Sequence, residues 1–256
     1  MVSLQEREIT TAEAVRRAAI YELLARCFAY PDVESWEAMQ EAADFVAGFP
    51  GDTVASRLCD HLAELDREEL EQAHIDTFTA VTSPDFPTYE SAFVCTDPGQ
   101  QPVIMADVAG FYRAFGLEIT QDGFRPDDLS IELSFLGFLC RKEAYAAEHM
   151  GAPRVAQARR TRRLFLREHL GRWGGAIGGR LANGDIHPFY RDLGVALSDW
   201  VAAEAEATGA EPIDRVDRPL MPWPKAERGQ GIDFGAPNGL ISLEDITMAD
   251  EIGAGR

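Results

Sequence analysis

Histidine, carboxylate and nucleophile combinations that could support catalysis are sparse in this sequence. One Glu-x-x-His pair is present, Glu71 with His74, whereas a two-metal helical bundle uses two such pairs and two further glutamates. There is no Gly-x-Ser-x-Gly nucleophile motif, and no spacing links a cysteine to a histidine. The other four histidines are scattered along the chain: His61, His149, His169 and His187. These residues favour a protein that is not an enzyme and has no metal site.

Cysteine and glycine patterns likewise indicate no cofactor. The four cysteines form no Cys-x-x-Cys pair, which argues against a zinc or iron–sulfur site; they are Cys27, Cys59, Cys95 and Cys140. The glycine-rich stretch GRWGGAIGG at 171–179 follows a predicted helix rather than a strand, and it lacks the Lys-Ser/Thr of a phosphate loop. We expect these glycines to permit close helix packing or a bend in a helix.

The charge of the chain is large and unevenly distributed. Its 43 acidic and 24 basic residues give a formal charge of −19, of which −18 falls in residues 1–150, +3 in 151–207 and −4 in 208–256. So much negative charge argues against a nucleic acid or an anionic lipid surface as partner. The asymmetry fits either a local electrostatic role or a solvated acidic surface that aids solubility.

The N-terminal segment MVSLQEREITT lacks the basic and apolar regions of a secretory signal, and no run of about 18 apolar residues occurs in the chain. These features favour a cytoplasmic protein without a membrane span.

Apolar residues recur with helical spacing along most of the chain. A capping box of Thr10 and Glu13 predicts a first helix that ends before Pro31. Further helices are predicted near 33–47, 53–65, 67–80, 104–115, 129–145, 159–170 and 186–201. The prolines of 82–102 predict a long ordered loop, and those of 208–256 an extended or partly disordered tail. The sequence thus predicts an all-α fold: a single bundle of about eight to ten helices over 1–207, followed by the tail.

Six motifs in order identify a resemblance. EQAHIDTF (71–78), PTYES (87–91), MADVAGFYRAFGL (105–117), RPDDLSIELSFLGFL (125–139), HLGRW (169–173) and HPFYRDLG (187–194) resemble the motifs of the TorD/DmsD/NarJ family of redox-enzyme maturation chaperones. The resemblance covers the helical region and not the tail. One position departs from the family pattern, because Asp128 stands where a histidine is usual.

The resemblance implies a cytoplasmic chaperone that is not an enzyme. Its partner would be the catalytic subunit of a molybdopterin oxidoreductase, whose N-terminal leader, often of twin-arginine type, it binds while cofactor insertion and assembly precede export. Such a leader has a basic head and an apolar stretch, which call for carboxylates beside an apolar groove. The motif positions place the candidate binding residues at Phe78, Tyr89, Glu90, Ser91, Pro126, Asp127, Asp128, Glu132 and Phe135.

Structural roles are open for the same residues. Asp127 could be the N-cap of the following helix, Asp128 could favour its dipole, and Glu132 could face solvent. Tyr89 and Phe78 could belong to the core, and Ser91 could cap the loop or the next helix. The arginines of 159–167 could form a solvated face that pairs with the acidic half, or they could contact the client.

Two other functions and two oligomeric states are also open. The chain could be an assembly scaffold for a molybdoenzyme that is not exported, or an enzyme acting on an anionic nucleotide. The family implies either a monomer or a homodimer that exchanges helices. The acidic start and the tail are compatible with a client acting on selenate, chlorate, dimethyl sulfide or ethylbenzene.

Overall fold

Helices account for nearly all of the chain that the computed structural model describes, namely residues 4–49, 53–78, 85–119 and 125–208. The α-helices in these ranges are α1 (Leu4–Phe28), α2 (Val33–Ala47), α3 (Thr53–Glu64), α4 (Arg67–Phe78), α5 (Ser91–Val94), α6 (Gln101–Ala114), α7 (Leu129–His149), α8 (Ala152–Glu168), α9 (Leu170–Ala182) and α10 (Pro188–Thr208). Within them the only β-structure is a single antiparallel bridge between Tyr89 and Asp128. The predicted all-α bundle is confirmed.

Helices α1 and α7 lie side by side at the centre of the bundle. Their facing side chains are almost fully buried, including Ile20 and Tyr21 on α1 and Leu133 and Leu136 on α7. Helix α2 packs on the outer side of α1, and α8 packs on the outer side of α7. Burying these apolar faces is the main source of stability in such a bundle.

Helices α9 and α10 form a second tight pair, in which glycine determines how closely the backbones approach. A Cβ atom on Gly178 would lie 2.8 Å from the carbonyl oxygen of Gly194, and one on Gly194 would lie 2.6 Å from that of Gly178. Neither helix could keep this position if either residue carried a side chain. The prediction that the 171–179 glycines permit close helix packing is therefore confirmed at Gly178.

Several predicted boundaries are corrected by the structure. Helix α1 already begins at Leu4, so Thr10 lies inside it and does not start it. The segment predicted as a loop at 82–102 contains the short helix α5, a 3-10 turn at Pro98–Gln100 and the start of α6. Proline is accepted there because Pro98 and Pro102 occupy first-turn positions, whose N–H groups need no helical partner. Residues 82–84 of this segment lie outside the described ranges.

The arginines of α8 do not all form a solvated face. Arg162 is 5% exposed and lies between two buried carboxylates, donating from Nη1 to Glu204 at 2.5 Å, with Nε 4.0 Å from Glu143. Tyr21 donates to the same Glu204 carboxylate at 3.0 Å. Arg162 therefore joins α8 to α7, α10 and α1, whereas Arg160, Arg163 and Arg167 are exposed.

The predicted tail at 208–256 lies outside the described ranges except for Thr208, which is the last residue of α10. Among the described helices, none is both long enough and apolar enough to cross a bilayer.

Candidate functional site

The PTYES and RPDD motifs, which are almost 40 residues apart in sequence, meet as two antiparallel segments. The amide of Glu90 donates to the carbonyl of Asp127 at 2.8 Å, and the amide of Leu129 donates to the carbonyl of Thr88 at 2.7 Å. These two bonds flank the Tyr89–Asp128 bridge. The pairing fixes the start of α7 against the loop that leads into α5, so the predicted residues of both motifs form one site.

Arg125 contacts three other residues of this site through its guanidinium. Its guanidinium donates two hydrogen bonds to the Asp127 carboxylate, at 3.0 and 3.1 Å, and a third to the Ser91 hydroxyl at 2.8 Å. The same group lies 4.2 Å from the centre of the Tyr89 ring. A forked, charge-assisted pair combined with stacking on an aromatic ring is a strong and geometrically specific mode of guanidinium binding. We call Tyr89, Ser91 and Asp127 the guanidinium site.

Asp128 takes the N-cap role that the sequence suggested for Asp127. Asp128 is the N-cap of α7, since its carboxylate accepts from the Ser130 amide at 2.9 Å. It also accepts from the hydroxyls of Ser130 and Thr88, while burial raises its pKa. Asp127 turns away from α7 and accepts from the Ser91 amide at 3.1 Å. The expectation that Asp127 caps α7 is therefore wrong.

Beneath these segments lies a buried layer that includes two glutamates of the predicted set. Glu90 contacts His169 Nδ1 at 2.9 Å, and Glu132 accepts from the Trp173 indole at 3.2 Å. Both glutamates are 0% exposed, so the expectation that Glu132 could face solvent is wrong. Burial, together with the negative charge of Glu90, raises the pKa of Glu132 well above its usual range.

We call Glu90, Asp127, Asp128 and Glu132 the carboxylate cluster. Two of its buried oxygens, Oε1 of Glu90 and Oε1 of Glu132, accept no hydrogen bond from the described residues. His169 Nε2 is also without a hydrogen bond there, and the Asp107 carboxylate lies 3.7 Å from it. The cluster therefore has more acceptor oxygens than the described residues satisfy.

The aromatic residues of the predicted set belong to two separate groups. Phe78, at the end of α4, packs edge-on against Phe28 and Tyr190, and its ring centre is 5.0 Å from that of His74. Burial lowers the pKa of His74 to about 4, so this imidazole is neutral at physiological pH. Phe135 lies in the core, 2% exposed, among the rings of Tyr112, Phe165, Phe115 and Phe138. Tyr112 connects this group to the site, because its hydroxyl donates to the carbonyl of Pro126 at 2.8 Å.

Exposure divides the predicted residues into two classes. Tyr89, Pro126, Asp128 and Phe78 are partly exposed and accessible to a partner. The other five are buried: Glu90, Ser91, Asp127, Glu132 and Phe135.

Sequence reasoning overlooked Arg125, His169 and Trp173 as site residues. All three lie in motifs that the family resemblance had already marked, and this placement was the signal that could have identified them. Among the described residues, no three histidine, cysteine, aspartate or glutamate side chains are arranged so that they could hold a metal ion.

Comparison with known proteins gives one family model that spans this site and two relatives. The family model "Nitrate reductase delta subunit" matches residues 31–177. The perchlorate reductase assembly chaperone protein of Dechloromonas aromatica is 29% identical over 176 residues, which are 63% of this chain and 75% of the relative. The selenate reductase assembly chaperone protein of Thauera selenatis is 27% identical over 195 residues, which are 76% of this chain and 90% of the relative.

The matched family region contains both paired segments, the carboxylate cluster and the α9 residues that contact it. The chain thus belongs to the nitrate reductase delta subunit family of redox-enzyme maturation chaperones, the TorD/DmsD/NarJ group.

Proposed function

We propose that this protein is a cytoplasmic assembly chaperone that binds the N-terminal, twin-arginine-type leader of a molybdopterin oxidoreductase catalytic subunit. It holds that subunit while the cofactor is inserted and before export. The two relatives are assembly chaperones of a perchlorate and of a selenate reductase, which supports a client that reduces an oxyanion.

The observation that carries the proposal is the surplus of carboxylates where the two motif segments meet. Four carboxylates face one arginine and one histidine, and two buried acceptor oxygens have no donor among the described residues. A basic peptide segment would supply the missing positive charge and donors. The partly exposed Phe78 and Tyr89 provide apolar surface for the stretch that follows the basic head.

A titration with synthetic leader peptides tests this function. The peptide would carry the N-terminal sequence of the oxidoreductase catalytic subunit encoded beside this protein, and a matched peptide would have lysines in place of the two arginines. We expect a dissociation constant of about micromolar for the first, since a client must later be released, and weaker binding for the second. Binding should also weaken as salt is added.

Asp128→Asn sharpens the test because asparagine is also a good N-cap, so α7 keeps its start while one negative charge is lost. Glu37→Gln on the exposed face of α2 removes the same charge elsewhere and is the control. Equal affinity of both peptides for all three proteins would contradict leader recognition through charge.

The family is named for a subunit of nitrate reductase, which leaves one second candidate, an assembly scaffold for a molybdoenzyme that is not exported. Such a scaffold would bind a client N-terminus that lacks the arginine pair. Co-purification of the client, followed by sequencing of its N-terminus, separates the two functions.

A further inference from the structure

The guanidinium site already contains a guanidinium, and it belongs to this chain. Arg125 is held by both oxygens of Asp127, by the Ser91 hydroxyl and by the face of the Tyr89 ring. Its side chain is nevertheless 29% exposed, whereas the Asp127 side chain beneath it is 0% exposed. An arginine of a bound peptide would seek these same three partners, because each suits the planar fork of its side chain.

Asp127 needs a cationic partner, but that partner need not be Arg125. The carboxylate cluster keeps unsatisfied acceptors even with Arg125 in place, since Glu90 Oε1 and Glu132 Oε1 have no donor among the described residues. Removing the cation without replacement would leave Asp127 buried and unpaired, which is costly. Exchange of one guanidinium for another avoids that cost, because the carboxylate remains paired throughout.

We propose that Arg125 is an internal occupant of the guanidinium site, and that an arginine of the client leader takes this site by displacing it. This inference rests on the proposed function for the identity of the ligand. Beyond that function, it identifies the recognised group as a guanidinium and names the residues that bind it. It also explains how the buried Asp127 carboxylate stays paired in the unliganded protein. Arg125 then competes with every leader, and only a leader that supplies the same fork replaces it fully.

Competition of this kind makes an unusual prediction for Arg125→Ala. If Arg125 occupies the site in about nine molecules of ten, its removal raises the apparent affinity for a twin-arginine peptide about tenfold. The unliganded variant should at the same time be less stable than the wild type, because Asp127 has lost its partner. An arginine that served only to hold the loop would give the opposite affinity change, since the site would deform without it.

A small-molecule probe tests the site without a leader. Alanine at position 125 lacks the two methylenes and the guanidinium, and N-ethylguanidinium has the same atoms. We expect millimolar N-ethylguanidinium to raise the melting temperature of Arg125→Ala saturably, and to need about tenfold higher concentration for the same effect on the wild type. Ethylammonium, which has the same charge without the planar fork, should give no such rise.

Two further variants keep the result interpretable. Arg113→Ala removes an exposed arginine from the last turn of α6 and should change neither peptide affinity nor the response to the probe. Arg125→Lys retains the charge but not the planar fork, and it replaces Arg125→Ala in the peptide titration if the alanine variant does not fold. We expect the affinity of Arg125→Lys for the twin-arginine peptide to exceed that of the wild type.

The outcomes separate this inference from the proposed function. A saturable response to N-ethylguanidinium together with tighter peptide binding supports both. A saturable response without binding of any leader keeps a guanidinium site but overturns the proposed function and, with it, displacement by a leader. Peptide binding that weakens in a folded Arg125→Ala or Arg125→Lys protein overturns the inference and leaves leader binding intact. A folded Arg125→Ala protein that responds equally to both cations, or to neither, also overturns it.

Discussion

The carboxylate of Glu90 lies 2.9 Å from Nδ1 of His169, although the two residues are 79 positions apart and both are almost fully buried. This contact fastens the loop that carries Tyr89 to the N-terminal end of α9. Phe111 and Phe165 pack against the His169 ring and hold it in place. The PTYES and HLGRW motifs are therefore physically dependent on each other.

His169→Ala should destabilise the protein by about 3 kcal/mol, because it leaves Glu90 buried without its partner. Urea unfolding followed by circular dichroism measures the change. His149→Ala removes an exposed histidine at the end of α7 and should alter the free energy of unfolding by less than about 0.5 kcal/mol. Adding Glu90→Gln to His169→Ala should restore part of the loss; a double variant that is no more stable than the single one would contradict the assigned contact.

Glu132→Gln should leave the protein equally stable or make it more stable at neutral pH. The glutamine amide can still accept from the Trp173 indole, and no charge needs to be buried. Because the pKa of Glu132 is raised in the folded state, that state binds more protons than the unfolded chain, and wild-type stability falls as pH rises from the usual carboxyl pKa toward the raised one. Urea unfolding between pH 5 and pH 8, with Glu37→Gln as control, should show a shallower decline for Glu132→Gln alone.

Gly178→Ala should destabilise the α9–α10 pair by about 1–3 kcal/mol, since the new Cβ would lie 2.8 Å from the Gly194 carbonyl oxygen. Gly175→Ala is a matched control in the same helix, where a Cβ meets nothing within 4 Å. That substitution should stabilise the protein by about 0.5–1 kcal/mol, because alanine favours a helix. Thermal unfolding of both variants tests the prediction, and equal effects would be inconsistent with the close approach.

Arg162→Ala should cost about 3–5 kcal/mol, because it leaves the buried Glu204 without its closest cation. Arg163→Ala, one position along the same helix, removes an exposed arginine and should be nearly neutral. Chemical unfolding of the two variants distinguishes a buried connection between helices from a solvated basic face. Similar losses for both arginines would contradict the connection.

Local patterns were sufficient to predict most helices. The boundaries of α2 agree with the predicted 33–47, and α4 begins at the predicted Arg67. Such features depend on residues close in sequence. The start of α1 was missed because a favourable cap at Thr10 does not prevent a helix from continuing through it.

The site depended on contacts that are distant in sequence, and there local reasoning failed. From the sequence alone, Asp127 and Asp128 are equally good N-caps. The distinction comes from Ser91, 36 residues away, whose amide donates to the Asp127 carboxylate. Arg162 looks like part of a basic surface until Glu204 and Tyr21 are placed beside it. The order of the motifs in the sequence nevertheless identified the correct segments, because the residues that meet at the site lie within those motifs.

The Tyr89–Asp128 bridge has a consequence for how the chain tolerates change in length. The bridge joins the two ends of the segment that carries α5 and α6, and so closes that segment into a loop. The entropic free-energy cost of closing a flexible loop rises by only about 0.6 kcal/mol for each doubling of its length. A change of length in the exposed connection at 96–100, between α5 and α6, should therefore cost little and leave the geometry of the guanidinium site unchanged.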